Sequence, residues 1–289
     1  MKTIDIHMHG IGGFDTRTSN VKDIIRMAEI EASCGVSEII PTIYPDSIQV
    51  MRENMTVVKM AMEMQKPDDN ICATIPGVHL EGPFLNPGRC GALNSSSFVE
   101  PTEYHFKKLL EGFEDMVKII TISPELNGAA KLIRKISDMG IIVSMGHSDA
   151  TYSEAEAGFN AGAKGITHLF NAMRSFHHRE PGIVGFGLLN KEVYIEVIAD
   201  PYHLNIKTLE LIFRTKNPER IILISDSVKG TKISETEKEH GVVDDTGRLQ
   251  GGSMGIMESS RRLTELGFNE GIIKNCITKN PETYLFELT

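Results

Sequence analysis

Short apolar, β-branched runs alternate with longer amphipathic stretches along the whole chain. Eight of them read as strands: TIDIHMH (3–9), EIIPTI (38–43), TIPGVHLE (74–81), VKIITIS (117–123), IIVSMGH (141–147), GITHLF (165–170), YIEVIAD (194–200) and IILISD (221–226). Helical spacing appears between them in NVKDIIRMAEIEASCG (20–35), DSIQVMRENMTVVKMAMEMQ (46–65), NGAAKLIRKISDMG (127–140) and TYSEAEAGFNAG (151–162). Asn20 is an N-cap candidate, and three of these stretches close on Gly35, Gly140 and Gly162. The Met-rich stripe of 46–65 reads as core packing. Strands alternating with helices imply βαβ units and a parallel sheet.

Eight such repeats in 289 residues predict a (β/α)8 TIM-type barrel, an architecture of about 250 residues. An open doubly wound sheet fits less well, because no G-x-G-x-x-G follows the first strand. No linker or low-complexity run divides the chain, so residues 1–289 are expected to form a single domain. Loops at 82–101, 171–190 and 228–257 are long enough to carry function.

Composition narrows the picture. A hydrophobic share of 40% and a charged share of 24% describe an ordinary globular protein. With 30 basic and 39 acidic residues the net charge is −9, which argues against nucleic-acid binding and against an anionic membrane surface. An anionic substrate would need a local cationic pocket. Cys34, Cys72, Cys90 and Cys276 are scattered without a C-x-x-C pair, as expected of reduced thiols. MKTIDIHMHG lacks the apolar region of a signal peptide, and no run approaches the ~18 apolar residues of a membrane span. The expected location is cytoplasmic.

A barrel collects its catalytic groups at the C-terminal ends of its strands. His7 and His9 end the first predicted strand, Glu81 the third and His147 the fifth. His168 lies late in the sixth, His203 follows the seventh, and Asp226 ends the eighth. With His79, six of the 10 histidines lie at or just beyond strand ends. The strand period of two puts His7 and His9 on one face, although an H-x-H taken alone could be two polar residues on an opening strand. These nitrogen and oxygen donors together suit a divalent cation such as zinc, iron or manganese, with one position left for water. Such an ion acidifies water and polarises a carbonyl, and Asp226 could carry the water proton to a leaving group. That is the chemistry of amide hydrolysis. His79 reads as orienting a ligand rather than binding the ion. His177 and His178 read as solvated loop residues, and His105 and His240 as surface residues.

DIHMHG, GVHLEGPFLNP, VSMGHSDATYSEAEAGFNAGAKGITHLFNAM, HREPGIVG, IADPYHLN and LISDSVKG together resemble the N-acetylglucosamine-6-phosphate deacetylase family of the amidohydrolase superfamily, in order from residue 4 to about 287. The resemblance implies a metal-dependent barrel that removes acetate from an N-acetylated amino-sugar 6-phosphate. It implies Glu81, His147 and His168 as ligands of the principal metal, with His7 and His9 serving a second ion that only some members carry. It further implies Asp226 as the acid/base, His203 on the acetamido carbonyl, and Asn171, Ala172 and Arg179 on sugar and phosphate. The cofactor implied is one or two divalent ions, zinc first, with iron, manganese or cobalt as alternatives. The partner implied is a second copy in a homodimer, across which the arginine can reach.

Three positions depart from the family pattern. The small β-sandwich that members usually build from segments flanking the barrel finds no counterpart in residues 1–289. Pro201 replaces a usual Gly in the loop of His203. Leu93 stands where many members have a polar phosphate-binding residue, with Arg89 as a candidate substitute. Two other readings stay open: an amidohydrolase acting on a different amide or cyclic amide, and an inactive metal-binding regulatory barrel. The choice between glucosamine and galactosamine epimers also stays open.

Overall fold

The computed structural model describes residues 1–65, 71–233 and 241–286. Every predicted strand run contributes one barrel strand: β1 (Ile4–Met8), β2 (Glu38–Ile43), β3 (Val78–Glu81), β4 (Val117–Ile122), β5 (Ile142–Met145), β6 (Gly165–Ile166), β7 (Tyr194–Ile198) and β8 (Ile221–Ile224). They pair in parallel in chain order. The Asp226 N–H donates to the His7 carbonyl at 2.9 Å, and the His9 N–H to the Ser227 carbonyl at 2.7 Å. These bonds carry the end of β8 back to β1, so the sheet closes and the open-sheet alternative falls.

A helix follows each strand: α1 (Val21–Ser33), α2 (Ile48–Met64), α3 (Glu103–Leu110), α4 (Ala129–Asp138), α5 (Tyr152–Asn160), α6 (Gly182–Leu189), α7 (Ile206–Thr215) and α8 (Ile256–Glu265). Then α9 (Glu270–Ile277) and α10 (Lys279–Phe286) complete the described chain. Asn20 caps α1 by accepting from the Lys22 N–H. Gly35, Gly140 and Gly162 all take positive φ just after their helices, as a left-handed terminus requires. The Met stripe of α2 is only partly core: Met51 and Met55 are buried, whereas Met60 and Met64 are exposed. Among the described residues, no helix is long and apolar enough to cross a membrane.

Three expected boundaries shift for local reasons. The third strand run shortens to Val78–Glu81, because Pro76 and Gly77 interrupt it. The sixth shortens to Gly165–Ile166, because the chain turns at His168 with φ 32°. The expected loop 171–190 contains α6, whose GIVGFGLL run is apolar on all sides and buried up to Leu188. Such a run shows no stripe to distinguish helix from loop.

Side-chain alternation places the site. Ile119, Ile142 and Ile222 belong to one buried cluster, whereas their neighbours Ile120, Val143 and Leu223 belong to the layer packed against the helices. The first cluster also takes in Tyr284 and Leu285 of α10, which close the barrel end opposite the catalytic ends. Gly165 is what admits Tyr284, since a Cβ there would lie 2.1 Å from the tyrosine Oη. Continuing the same alternation toward the C-terminal ends, the inward positions become polar: Glu81, Thr121, Ser144, Thr167, Glu196 and Asp226 are all buried. A register shift between Asp5 and Met8 leaves Ile4 and Ile6 with the barrel interior and adds His7 to it.

Candidate metal centre

The residues predicted to carry chemistry converge on this polar layer. Glu81 ends β3. His147 and Asp226 each lie two residues past the last residue of β5 and β8, and His168 two past β6. All three adopt left-handed backbone, with φ 48°, 47° and 32° for His147, Asp226 and His168. Non-glycine residues reach that region at a cost and concentrate at functional sites. Phe170 (φ 79°) and Ala172 (φ 51°) extend the pattern into the next loop.

Glu81 is the hub. Its Oε1 lies 3.0 Å from both His147 Nε2 and His168 Nε2, which are themselves 3.1 Å apart. Its Oε2 lies 3.2 Å from His9 Nε2. His7 Nε2 is 3.4 Å, and His9 Nε2 3.6 Å, from Asp226 Oδ1. The donor atoms of Glu81, His147 and His168 lie within 4.8 Å of one another, as do those of His7, His9 and Asp226. Tetrahedral ligands ~2.0–2.1 Å from a zinc ion stand about 3.4 Å apart, so these spacings suit ions held between the donors.

The tautomers point the same way. His147 Nδ1 is 2.9 Å from the Arg89 carbonyl, and His9 Nδ1 is 3.2 Å from the Thr42 carbonyl. A carbonyl only accepts, so both Nδ1 atoms carry hydrogen and each neutral ring presents a bare Nε2. Those lone pairs face a carboxylate, an arrangement that repels unless a cation lies between. Arg89 therefore supports the site through its backbone. Its guanidinium is bound to Asp149, which Arg174 also holds.

The electrostatics show excess negative charge. Burial, followed by Glu81, Glu196, Asp5 and Asp200, pushes the Asp226 carboxyl well above its ordinary range. Burial also raises Asp5 to about 7 and Glu196 to about 8. Burial acts to raise Glu81 too, but positive charge and N–H donors from the surrounding imidazoles, His147 first, outweigh it and hold it well below the usual range; where the rings present bare Nε2 atoms instead, a cation has to supply that charge. Burial keeps His7 and His79 neutral by lowering both. A divalent cation is what this set of donors lacks.

The remaining predicted residues divide. His203 Nδ1 is 2.9 Å from Asp200 Oδ2, which also accepts from the Ser253 N–H at 2.9 Å. The Gly252 N–H in turn donates to the Asp226 carbonyl at 2.7 Å, so the loop of His203 is tied to the base of Asp226. His79 Nε2 is 2.8 Å from Thr121 Oγ1, and its ring packs on His7. Asn171 Nδ2 donates to the His168 carbonyl at 3.3 Å, and the Ala172 carbonyl accepts from the Ser148 N–H at 3.2 Å. Arg179, His177 and His178 are exposed, with Arg179 Nη1 beside His178 Nε2 at 3.2 Å. His105 is half-buried rather than fully exposed, held by Thr102 and the Glu100 carbonyl near the start of α3. His240 lies outside the described residues. Sequence reasoning missed Glu196, Asp200 and Thr42; of these only Asp200 carries a local signal, three residues before His203.

No protein-family model matches the chain. It is 32% identical over 276 residues to the N-acetylglucosamine-6-phosphate deacetylase of Bacillus subtilis, covering 91% of this chain and 68% of the relative. It is 30% identical over 273 residues to the N-acetylgalactosamine-6-phosphate deacetylase of Escherichia coli O157:H7, covering 91% of this chain and 71% of that one. Among solved structures, it superposes with a TM-score of 0.86 and 25% identity on a variant of the N-acetyl-D-glucosamine-6-phosphate deacetylase of Mycobacterium smegmatis in complex with N-acetyl-D-glucosamine-6-phosphate. That match covers 98% of this chain and 77% of the other.

Proposed function

The chain belongs to the N-acetylglucosamine-6-phosphate deacetylase family, and on that premise we propose that it hydrolyses N-acetylglucosamine 6-phosphate, or a close N-acetyl amino-sugar phosphate, to the amino-sugar 6-phosphate and acetate. The observation that carries the reading is that His9 and His147 give Nδ1 to backbone carbonyls and turn Nε2 toward Glu81.

Glu81, His147 and His168 would hold the principal divalent ion, zinc by the character of its donors, with iron, manganese or cobalt as alternatives. His7 and His9 would hold a second. An ion in this cage supplies positive charge that polarises the acetamide oxygen and makes water more acidic. Asp226 takes the proton as the water oxygen bonds to the acetyl carbon, then passes it to the sugar nitrogen as the C–N bond breaks. A carboxyl raised above its ordinary range suits both halves of that transfer. His203, its ring held at Nδ1 by Asp200, would turn Nε2 to the acetamide oxygen.

Asn171 and the backbone at Ala172 would seat the sugar, and Arg179 the phosphate, its fork of donors matching an oxyanion. The exposure of Arg179 favours a role across a homodimer interface. We take residues 1–289 as one domain in the cytoplasm. The E. coli relative's name keeps the galactosamine epimer in view. The test is acetate release from N-acetylglucosamine and N-acetylgalactosamine, each with and without 6-phosphate, alongside metal analysis. A 6-phosphate ester should be the preferred substrate. Turnover confined to unphosphorylated or cyclic amides would overturn the reading.

A further inference from the structure

We propose that Glu196 is a positioning residue for the ion held by His7 and His9, and that it determines whether that ion is retained. The inference rests on the metal reading above and deepens it. Glu196 lies in the middle of β7, inward and 1% exposed. Its Oε2 is 2.9 Å from His7 Nδ1. On the other side of the same ring, His7 Nε2 has no hydrogen-bond partner and faces Asp226 and Glu81 at 3.4 and 3.6 Å.

An imidazole can present Nε2 to a cation only if its proton sits on Nδ1. A carboxylate at Nδ1 holds the proton there, fixes the plane of the ring and makes the far nitrogen a stronger donor. His9 and His147 receive this support from neutral carbonyls, those of Thr42 and Arg89. The corresponding acceptor for His7 is a side chain, Glu196 Oε2 at 2.9 Å, so it is the one of the three supports that a substitution can remove.

A second grouping, His7 with His79 and Glu196, also brings its donor atoms within 4.8 Å. Coordination there would use His7 Nδ1, the atom that donates to Glu196. His79 Nε2 is already engaged at Thr121 Oγ1, which continues to Thr167 Oγ1 at 2.9 Å and on to Ser144 Oγ at 2.7 Å. His79 Nδ1 is buried without a hydrogen-bond partner, but an ion there would have to displace the His7–Glu196 contact; we therefore take the deeper grouping as support beneath the mouth, with Glu196 the member that acts on the ion.

The test compares the full chain with Glu196→Val and Glu196→Gln by elemental analysis after dialysis, and by zinc titration against a chromogenic chelator. The wild type should hold two ions per chain. Glu196→Val should hold one, with affinity for the second ion down 10–100-fold or more. Glu196→Gln, which keeps an acceptor oxygen in the same place, should fall between them. In a His7→Ala background, Glu196→Val should change nothing further. Two ions at wild-type affinity in Glu196→Val would overturn the inference, as would loss of both ions. A wild type that binds only one ion, or retains two after His7→Ala, would also overturn it while leaving the principal site standing. A wild type that binds none would instead overturn the metal reading itself.

Discussion

Asp200 carries more of the chemistry than its place in the sequence suggests. Burial works to raise its carboxyl, but the hydrogen bond and charge of His203, with backbone N–H groups of Ser253 and His203, hold it well below the usual range. It therefore stays anionic beside the His203 ring that it holds at Nδ1. The sign of the pH dependence follows. Asp226 must be ionised to accept a proton, so kcat/KM falls as pH drops through its raised range. Asp200→Asn removes one of the charges that raise Asp226, so the acid limb should move to lower pH. A pH–rate profile with an unmoved acid limb would refute the coupling of Asp226 to Asp200. Among single residues, the candidate ligands were legible because His, Glu and Asp at strand ends stand out against an apolar background. Their supports were not legible. Glu196 reads as one polar residue in an apolar run, and the carbonyls of Thr42 and Arg89 have no side-chain signature at all.

At the scale of elements, β1 and α1 share an unusual burden. Glu31 of α1 is buried with neither carboxylate oxygen hydrogen-bonded, and burial together with Asp5 of β1 raises it to about 8. An acid raised in the folded state keeps its proton while the unfolded chain loses it. The folded state then binds more protons than the unfolded one, so stability declines as pH rises from ~4.5 to ~8. Glu31→Gln removes that group's titration and should flatten the decline, by an amount on the order of a few kcal/mol between pH 5 and 8. Thermal unfolding across that range checks it; equal slopes for both proteins would contradict the account. The strands themselves were readable from periodicity and β-branching, since each predicted run holds one barrel strand. What periodicity could not deliver were the ends set by tertiary contact. β6 stops where His168 turns to Glu81, and α6 is buried all round and shows no stripe.

For the whole molecule, closure of the barrel converts scattered sequence positions into one site. His7 and Asp226 stand 219 positions apart in the chain, yet the bonds that close β8 onto β1 run through their own backbones. The net charge of −9 opposes an anionic substrate at long range, so its attraction has to come from local positive charge at short range. The predicted phosphate contact has the weakest sequence signal, a single arginine in a polar loop, and Arg179 lies exposed beside His178. A non-catalytic barrel and a deacetylase differ in what they require of one residue. Ion binding needs Glu81 and the histidines, but only turnover needs the proton carried by Asp226. The most direct measurement is therefore acetate release from N-acetylglucosamine 6-phosphate by wild type and Asp226→Asn at equal metal content. The wild type should turn over continuously and the variant should lose about 10²–10⁴-fold in kcat; no acetate from the wild type, or equal rates from both, would contradict the account.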